Sequence, residues 1–297
     1  MKKVFLSEVG PEISNIIYSF WRAHEELEGV KYSSVLSKLN TCLDLGINTF
    51  DHADIYGDYQ IEELFGKALK ESAARREDVV IITKCGLNVV DHLKTSYRIR
   101  HYDSSPEHII EKVECSLYNF QTDYIDVLLL NHFDPLIDAD ETALVLSNLV
   151  KSGKVKYIGV ANYTVQQFKL LQSRLHIHLL TNLIELNVLN TKAITDGTID
   201  FIKQQRSRLM AWSPLAGGRL VDKNDDSTFN IRNTLNRIAE KYEINEEQLA
   251  IAWLVNLGVL PIVGSNNASK IKNATSAVEI KLDRQDWHEI YFSSLNN

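Results

Sequence analysis

Asp51, Tyr56 and Lys84 are residue types that together can move a proton, and the first two stand five positions apart in "FDHADIYGDY". A free phenol has a pKa of about 10, so it donates poorly near neutrality unless a nearby cation favours its ionised form. Lys84 can supply that cation, and Asp51 can keep Lys84 charged in a desolvated pocket. The trio is expected to make Tyr56 a general acid. A fourth candidate lies in "YIDVLLLNHFDPLIDAD", residues 124–140, where an apolar strand breaks into Asn131, His132 and Asp134. Such a break is where many α/β enzymes keep their chemistry, and it poses the question of which of Asn131 and His132 faces the reacting atom.

These residues need elements to hold them. Eight short β-branched apolar runs recur: NIIYSFW, INTFDHA, VVIITK, YIDVLLLN, VKYIGVAN, LIELN, LMAWSPL and LPIVGS. Between them lie stretches of helical period at 33–45, 61–70, 106–120, 141–151, 165–172, 194–205, 231–257 and 268–277. Ser105 before Pro106 fits an N-cap with proline in the first helical position, Thr164 is a second cap, and the acidic run "IDADE" reads as a capped helix start. Strand and helix alternating eight times predict a (β/α)8 TIM barrel, an α/β fold in a single domain over residues 1–297. The lead-in "KKVFLSEVGPEIS" is read as a hairpin closing the bottom of the barrel. A doubly wound sheet is the alternative, but its GxGxxG fingerprint is absent. In a barrel the site lies at the C-terminal strand ends. Those ends carry Asp51, His52, Asp54 and Tyr56; Lys84; Asn131 and His132; Ala161 and Asn162; Trp212 and Ser213; Gly264 and Ser265.

Composition narrows the partners. The chain has 297 residues, 44% of them hydrophobic, enough for a sizeable core. Its formal net charge of −7 argues against a nucleic acid or an anionic membrane as partner, since either needs a basic surface. A small molecule is the expected partner. No signal-peptide core and no apolar run of spanning length is present, so a cytoplasmic protein is expected. Cys42, Cys85 and Cys115 make no metal or redox spacing and read as buried or half-buried thiols.

The segment "GINTFDHADIYGDYQIEELFGKALK" resembles the hallmark of the aldo-keto reductase superfamily, whose catalytic Asp and Tyr fall on Asp51 and Tyr56. "VVIITKCG" is similar to the family's lysine strand and gives Lys84. "SGKVKYIGVANYT", "MAWSPLAGGRL" and "VGSNNASKIKNA" resemble its later signatures, so the resemblance runs from about residue 16 to 277. It implies the barrel, a nicotinamide cofactor held without a Rossmann fold, and reduction of an aldehyde or ketone. NADPH is the expected cofactor, with NADH possible. The resemblance puts Asn162 on the nicotinamide carboxamide, Trp212 stacked on the ring, Ser213 and Leu215 beside the phosphates, and Ser265 and Lys270 at the 2′-phosphate.

Departures from the family pattern matter as much. Ala161 replaces a usual serine, Leu183 a usual glutamine, Ser19 a glycine, Gly264 a common lysine and Lys270 a common arginine. Lysine lacks the flat, bidentate grip of arginine on phosphate, which weakens the case for NADPH over NADH. Laid without gaps on residues 124–134, the family's catalytic histidine falls on Asn131, not His132. A one-residue slip would turn the whole strand inside out, so Asn131 is expected in the pocket and His132 outside it.

Each assignment has a plainer rival. Asp51 and Lys84 could be a structural ion pair, Trp212 core, and Lys270 and Lys272 a solvated helix face. His52, Trp21 and Tyr102 could line the pocket or lie at the surface. A metal-dependent barrel hydrolase could use His52, Asp54, His132 and Asp134, although HxD pairs are weak ligand patterns. A nicotinamide-binding redox sensor or scaffold with little turnover is the other alternative, because potassium-channel β subunits in this family share the asparagine. The loop "AGGRLVDKNDDSTFN" is short and polar and suggests a small pocket open to solvent.

Overall fold

The computed structural model describes residues 1–25, 30–90, 97–221 and 225–295. Its strands are β1 (Lys3–Phe5), β2 (Glu12–Ser14), β3 (Ile17–Ser19), β4 (Thr49–Asp51), β5 (Val80–Cys85), β6 (Leu87–Asn88), β7 (His101–Tyr102), β8 (Ile125–Asn131), β9 (Val155–Ala161), β10 (Leu179–Glu185), β11 (Met210–Trp212) and β12 (Leu260–Val263). Among the described residues β3, β4, β5, β8, β9, β10, β11 and β12 close into a barrel in chain order, every neighbour parallel. Each of the eight apolar runs supplies one barrel strand.

The helices are α1 (Tyr32–Asp44), α2 (Ile61–Glu71), α3 (Pro106–Phe120), α4 (Ala139–Lys151), α5 (Val165–Gln172), α6 (Lys192–Thr195), α7 (Thr198–Gln204), α8 (Phe229–Lys241), α9 (Glu246–Asn256), α10 (Ala268–Ala277) and α11 (Arg284–Leu295). Three start as the sequence predicts. Ser105 caps α3 with proline behind it, Asp138 accepts from the amides of Asp140 and Glu141, and Thr164 forms a capping box with Gln167. Two predicted helices are each broken in two. Gly197, at φ 85°, separates α6 from α7, and Glu243, at φ 56°, followed by an Asn245 capping box, separates α8 from α9. Helix α11 lies beyond the predicted elements. It docks on α9 through a Trp253–Trp287 stack 5.1 Å between centroids, with each indole donating to the other's carbonyl.

The alternation of side chains sorts the strands into two faces. Ile17, Val80, Ile82, Val127, Leu129, Leu183, Met210, Leu260 and Ile262 fill the barrel interior, where Leu6 and Ile13 of the β1–β2 hairpin join them. The hairpin thus packs against the interior, as the lead-in suggests. Ile81, Leu128 and Leu130 point outward into the layer beneath the helices. There α2 crosses α3 so closely that a Cβ on Gly66 would sit 2.3 Å from the Asn119 carbonyl oxygen, which no side chain tolerates. Cys42 and Cys85 are buried, whereas Cys115 is exposed rather than half-buried. No helix among the described residues is long and apolar enough to cross a membrane.

Candidate active site

At the C-terminal end of the barrel each strand presents one inward-facing residue to the mouth. These positions are Ser19, Asp51, Lys84, Asn131, Ala161, Leu183, Trp212 and Gly264, and all eight line one cavity of about 850 Å³. Strand register sets several of them side by side: Ser19 pairs with Asp51, Asn131 with Ala161, and Ala161 with Leu183. The candidate chemistry and the candidate cofactor contacts therefore share one mouth.

Lys84 Nζ donates to Asp51 Oδ1 at 2.5 Å and to the His52 carbonyl at 2.6 Å. Tyr56 sits on the turn after β4; its hydroxyl donates to Asp51 Oδ2 at 3.3 Å, and Lys84 Nζ lies 4.9 Å from its ring centre. Burial lowers the Lys84 pKa, and Asp51 opposes the change. Burial first, and then the Asp51 charge, push the Tyr56 phenol well above its usual value. This corrects the expectation that Lys84 brings the phenol down. The Lys84 hydrogen bonds go to Asp51 and the His52 carbonyl, and Tyr56 lines the cavity as a neutral donor.

Asn131 and His132 share the cavity. Asn131 takes the inward position after Val127 and Leu129. His132 reaches the same space for a different reason: its φ of 70° breaks the strand's alternation, so register alone does not exclude it. Its Nε2 meets Asn162 Nδ2 at 3.2 Å, and Trp212 Nε1 donates to Asn162 Oδ1 at 2.9 Å. An indole nitrogen only donates, which fixes the Asn162 amide and makes His132 Nε2 an acceptor on a neutral ring. Burial, then Arg100, lower the His132 pKa in agreement. Asn162 and Ser213, at φ 61° and 50°, are likewise left-handed. Such backbone costs roughly 1–3 kcal/mol per residue and gathers at functional sites.

The far end of the cavity holds Ser213, Leu215, Ser265 and Lys270. Ser265 Oγ accepts from the Asn267 amide, and Lys270 Nζ is paired with Glu247 Oε1 at 2.7 Å. Trp21 also lines the cavity, edge-on to Tyr56 at 5.2 Å. Arg22, Arg100, Glu247 and Asn273 line it too, and none carries a sequence signal, because loops and barrel closure bring them in. Tyr102 stacks on His132 at 5.4 Å without lining the cavity, and Lys272 lies outside it. Residues 222–224 of the polar loop after β11 lie outside the described residues.

The HxD residues do other work. His52 is packed among Phe20, Phe65 and Phe120, and burial, then Lys84, hold it neutral. Asp54 is buried 3.8 Å from Lys112; burial and then Glu62 push its pKa up to about 7. Asp134 accepts from the amides of Ser104 and Leu136. Among the described residues no group of three or more His, Cys, Asp or Glu is placed to hold a metal ion.

Residues 15–292 match the model of the aldo/keto reductase family. The chain is 39% identical over 293 residues to a 6-dehydroglucose reductase of Agrobacterium fabrum, covering 98% of this chain and 97% of that protein. It is 40% identical over 298 residues to the oxidoreductase YdhF of Escherichia coli, covering 99% and 98%. Among solved structures, the glycerol dehydrogenase AKR11B4 of Gluconobacter oxydans superposes with a TM-score of 0.87 at 20% identity, over 99% of this chain and 95% of that one. The thermostable aldo-keto reductase Tm1743, solved with the inhibitor epalrestat, gives 0.84 at 24%, over 99% and 100%. With a barrel of this topology, a family match across nearly its whole length and relatives this similar, the chain belongs to the aldo/keto reductase family.

Proposed function

We propose that the protein uses NADPH, with NADH as the alternative, to reduce an aldehyde or ketone to an alcohol, with Tyr56 as proton donor. The observation that carries this reading is the shared cavity at the strand ends: Asp51 bonds both Lys84 and Tyr56 in the cavity that Trp212, Asn162 and Lys270 also line. The cavity suits the cofactor. Trp212 offers a flat apolar face and Asn162 an amide beside it, while Lys270 offers a cation at the far end. When bound, the nicotinamide supplies the hydride. Tyr56 gives its proton to the substrate oxygen, Lys84 and Asp51 fix the donor's place, and Asn131 donates a hydrogen bond to the same oxygen. Leu183 and Ala161 leave an apolar floor.

Equilibrium titration of NADPH and NADH, followed by an aldehyde panel, tests the reading. The relative named 6-dehydroglucose reductase puts a 6-aldehydo sugar on that panel. No binding of either cofactor at millimolar concentration contradicts the proposal. A second reading, a cofactor-binding redox sensor with little turnover, is favoured by Asn131 alone, and rapid turnover of simple aldehydes contradicts it.

Glu247 bears on the choice of cofactor. Its carboxylate occupies Lys270, the cation expected to meet the 2′-phosphate, and places a like charge near that phosphate. Glu247→Gln is expected to tighten NADPH binding about fivefold and to leave NADH within about twofold, since a nearby charge pair is worth about 1 kcal/mol at a partly exposed site. Equal shifts for both cofactors would contradict this placement.

A further inference from the structure

Most of the cations that line the cavity already have a counterion. Lys84 pairs with Asp51, Lys270 with Glu247, and Arg22 with Glu25 at 3.6 Å, and each of these partners lines the cavity too. Arg100 lines it as well, yet among the described residues no carboxylate pairs with its guanidinium and no hydrogen bond engages it. The described wall of the cavity therefore carries one uncompensated positive charge. Backbone register explains its place. β6 and β7 form an antiparallel arm beyond β5, with Leu87 opposite Tyr102 and Asn88 opposite His101. Carrying that pairing one residue further sets Val89 opposite Arg100. Side chains alternate between the two faces of such a ribbon, so Leu87, Val89 and Arg100 share one face, and all three line the cavity. Asn88 and His101 take the other face, where their side chains meet at 3.3 Å. Tyr102, on the face of Leu87, stacks on His132 and so ties the arm to the end of β8 that carries Asn131. Arg100 is near enough to His132 that its charge helps to keep that ring neutral.

We infer that Arg100 is a specificity-determining residue that binds an anionic group of the substrate, so that the preferred substrate is an aldehyde or ketone carrying a carboxylate or a phosphate. The inference rests on the carbonyl-reductase reading of the site and names the substrate class within it. Arginine offers a flat fork of donors that grips two oxygens of either anion at once. Leu87 and Val89, on the same face of the arm, give the carbon skeleton between anion and carbonyl an apolar wall. Arg100 is exposed, so the contact forms at the solvent edge of the cavity and is screened by salt. The anion keeps its charge while hydride moves to the carbonyl carbon. Arg100 therefore holds ground state and transition state alike, and its effect falls on KM rather than on kcat.

The test compares three aldehydes, 4-carboxybenzaldehyde, its neutral methyl ester and 4-formylphenyl phosphate, each reduced with NADPH by the full chain. Wild type is set against Arg100→Ala and Arg100→Lys, so the intrinsic reactivity of each aldehyde cancels. Arg100→Ala is expected to lower kcat/KM for the carboxylate about tenfold more than for the ester, through KM, as the loss of a hydrogen-bonded charge contact should. Arg100→Lys keeps the charge without the fork and is expected to lose only about threefold. Raising the salt to about 0.5 M is expected to shrink the wild-type preference for the anion and to leave the ester unaffected. A selective loss for the phosphate upholds the inference and makes phosphate the preferred anion. Equal changes for the ester and both anions, or a loss confined to kcat, overturns it. A wild type that binds NADPH but reduces none of the three contradicts the carbonyl-reductase reading, and the inference falls with it; the two failures are thus distinguishable.

Discussion

Tyr56→Phe is expected to lower carbonyl-reduction turnover by about 10²–10⁴-fold, the usual contribution of a positioned acid, while the Kd for cofactor stays within about twofold. The hydroxyl lies 3.3 Å from Asp51 and faces the cavity, and it acts when the substrate oxygen gains charge, not when the cofactor docks. Lys84→Met is expected to act in the same direction, because it leaves the buried Asp51 carboxylate without its 2.5 Å partner. The pH dependence follows from the same geometry. Tyr56 has its pKa raised by burial and Asp51, so it keeps its proton through the neutral range. Lys84 has its pKa lowered by burial, so the alkaline loss of activity follows its deprotonation as pH rises. Stopped-flow rates from pH 6 to 10 check this; a limb set by a group with a pKa of about 6.5, the free histidine value, would contradict it.

Asn131→His is expected to raise turnover of activated aldehydes more than tenfold. Asn131 takes the inward position of β8 on the strand beside that of Lys84, and in the proposed reaction its amide donates to the substrate oxygen from a shorter arm than an imidazole. Loss of one such donor typically costs about 10²–10³ in rate, so a partly effective donor leaves room for a gain of this size. His132→Ala serves as the contrast. His132 accepts from Asn162, which also holds Trp212, so its loss is expected to weaken cofactor binding several-fold and to leave turnover at saturating cofactor within about threefold. If His132→Ala abolished turnover and Asn131→His changed nothing, the roles of the two residues would be exchanged.

The barrel is legible in the sequence because its strands are continuous apolar runs, and side-chain alternation then fixes which residues reach the mouth. Val127, Leu129 and Asn131 illustrate it. Alternation misleads one residue later, where His132 turns left-handed and enters the cavity too; no residue pattern announces a positive φ at histidine. Helices with capping signals start as predicted, as at Ser105, Asp138 and Thr164. The breaks at 197 and 243–245 are missed because apolar periodicity continues across them. The two-residue strands β6 and β7 are too short for any periodicity, and α11 depends on the partner stack of Trp253. Glu247 is invisible in the same way: its meaning comes from Lys270, which stands 23 residues away. The direction of the Tyr56 pKa also needs the structure, since burial and the Asp51 carboxylate outweigh what residue types suggest.

The most direct measurement is a single-turnover reaction with protein in excess over NADPH, followed at 340 nm after addition of a reactive aldehyde, for wild type and Tyr56→Phe side by side. Working with excess protein makes the test independent of how fast Asn131 allows repeated turnover. Stoichiometric loss of absorbance with wild type, slowed at least about a hundredfold in Tyr56→Phe, is the predicted result. Equal rates for the two proteins, or bound NADPH that no aldehyde oxidises, would contradict it.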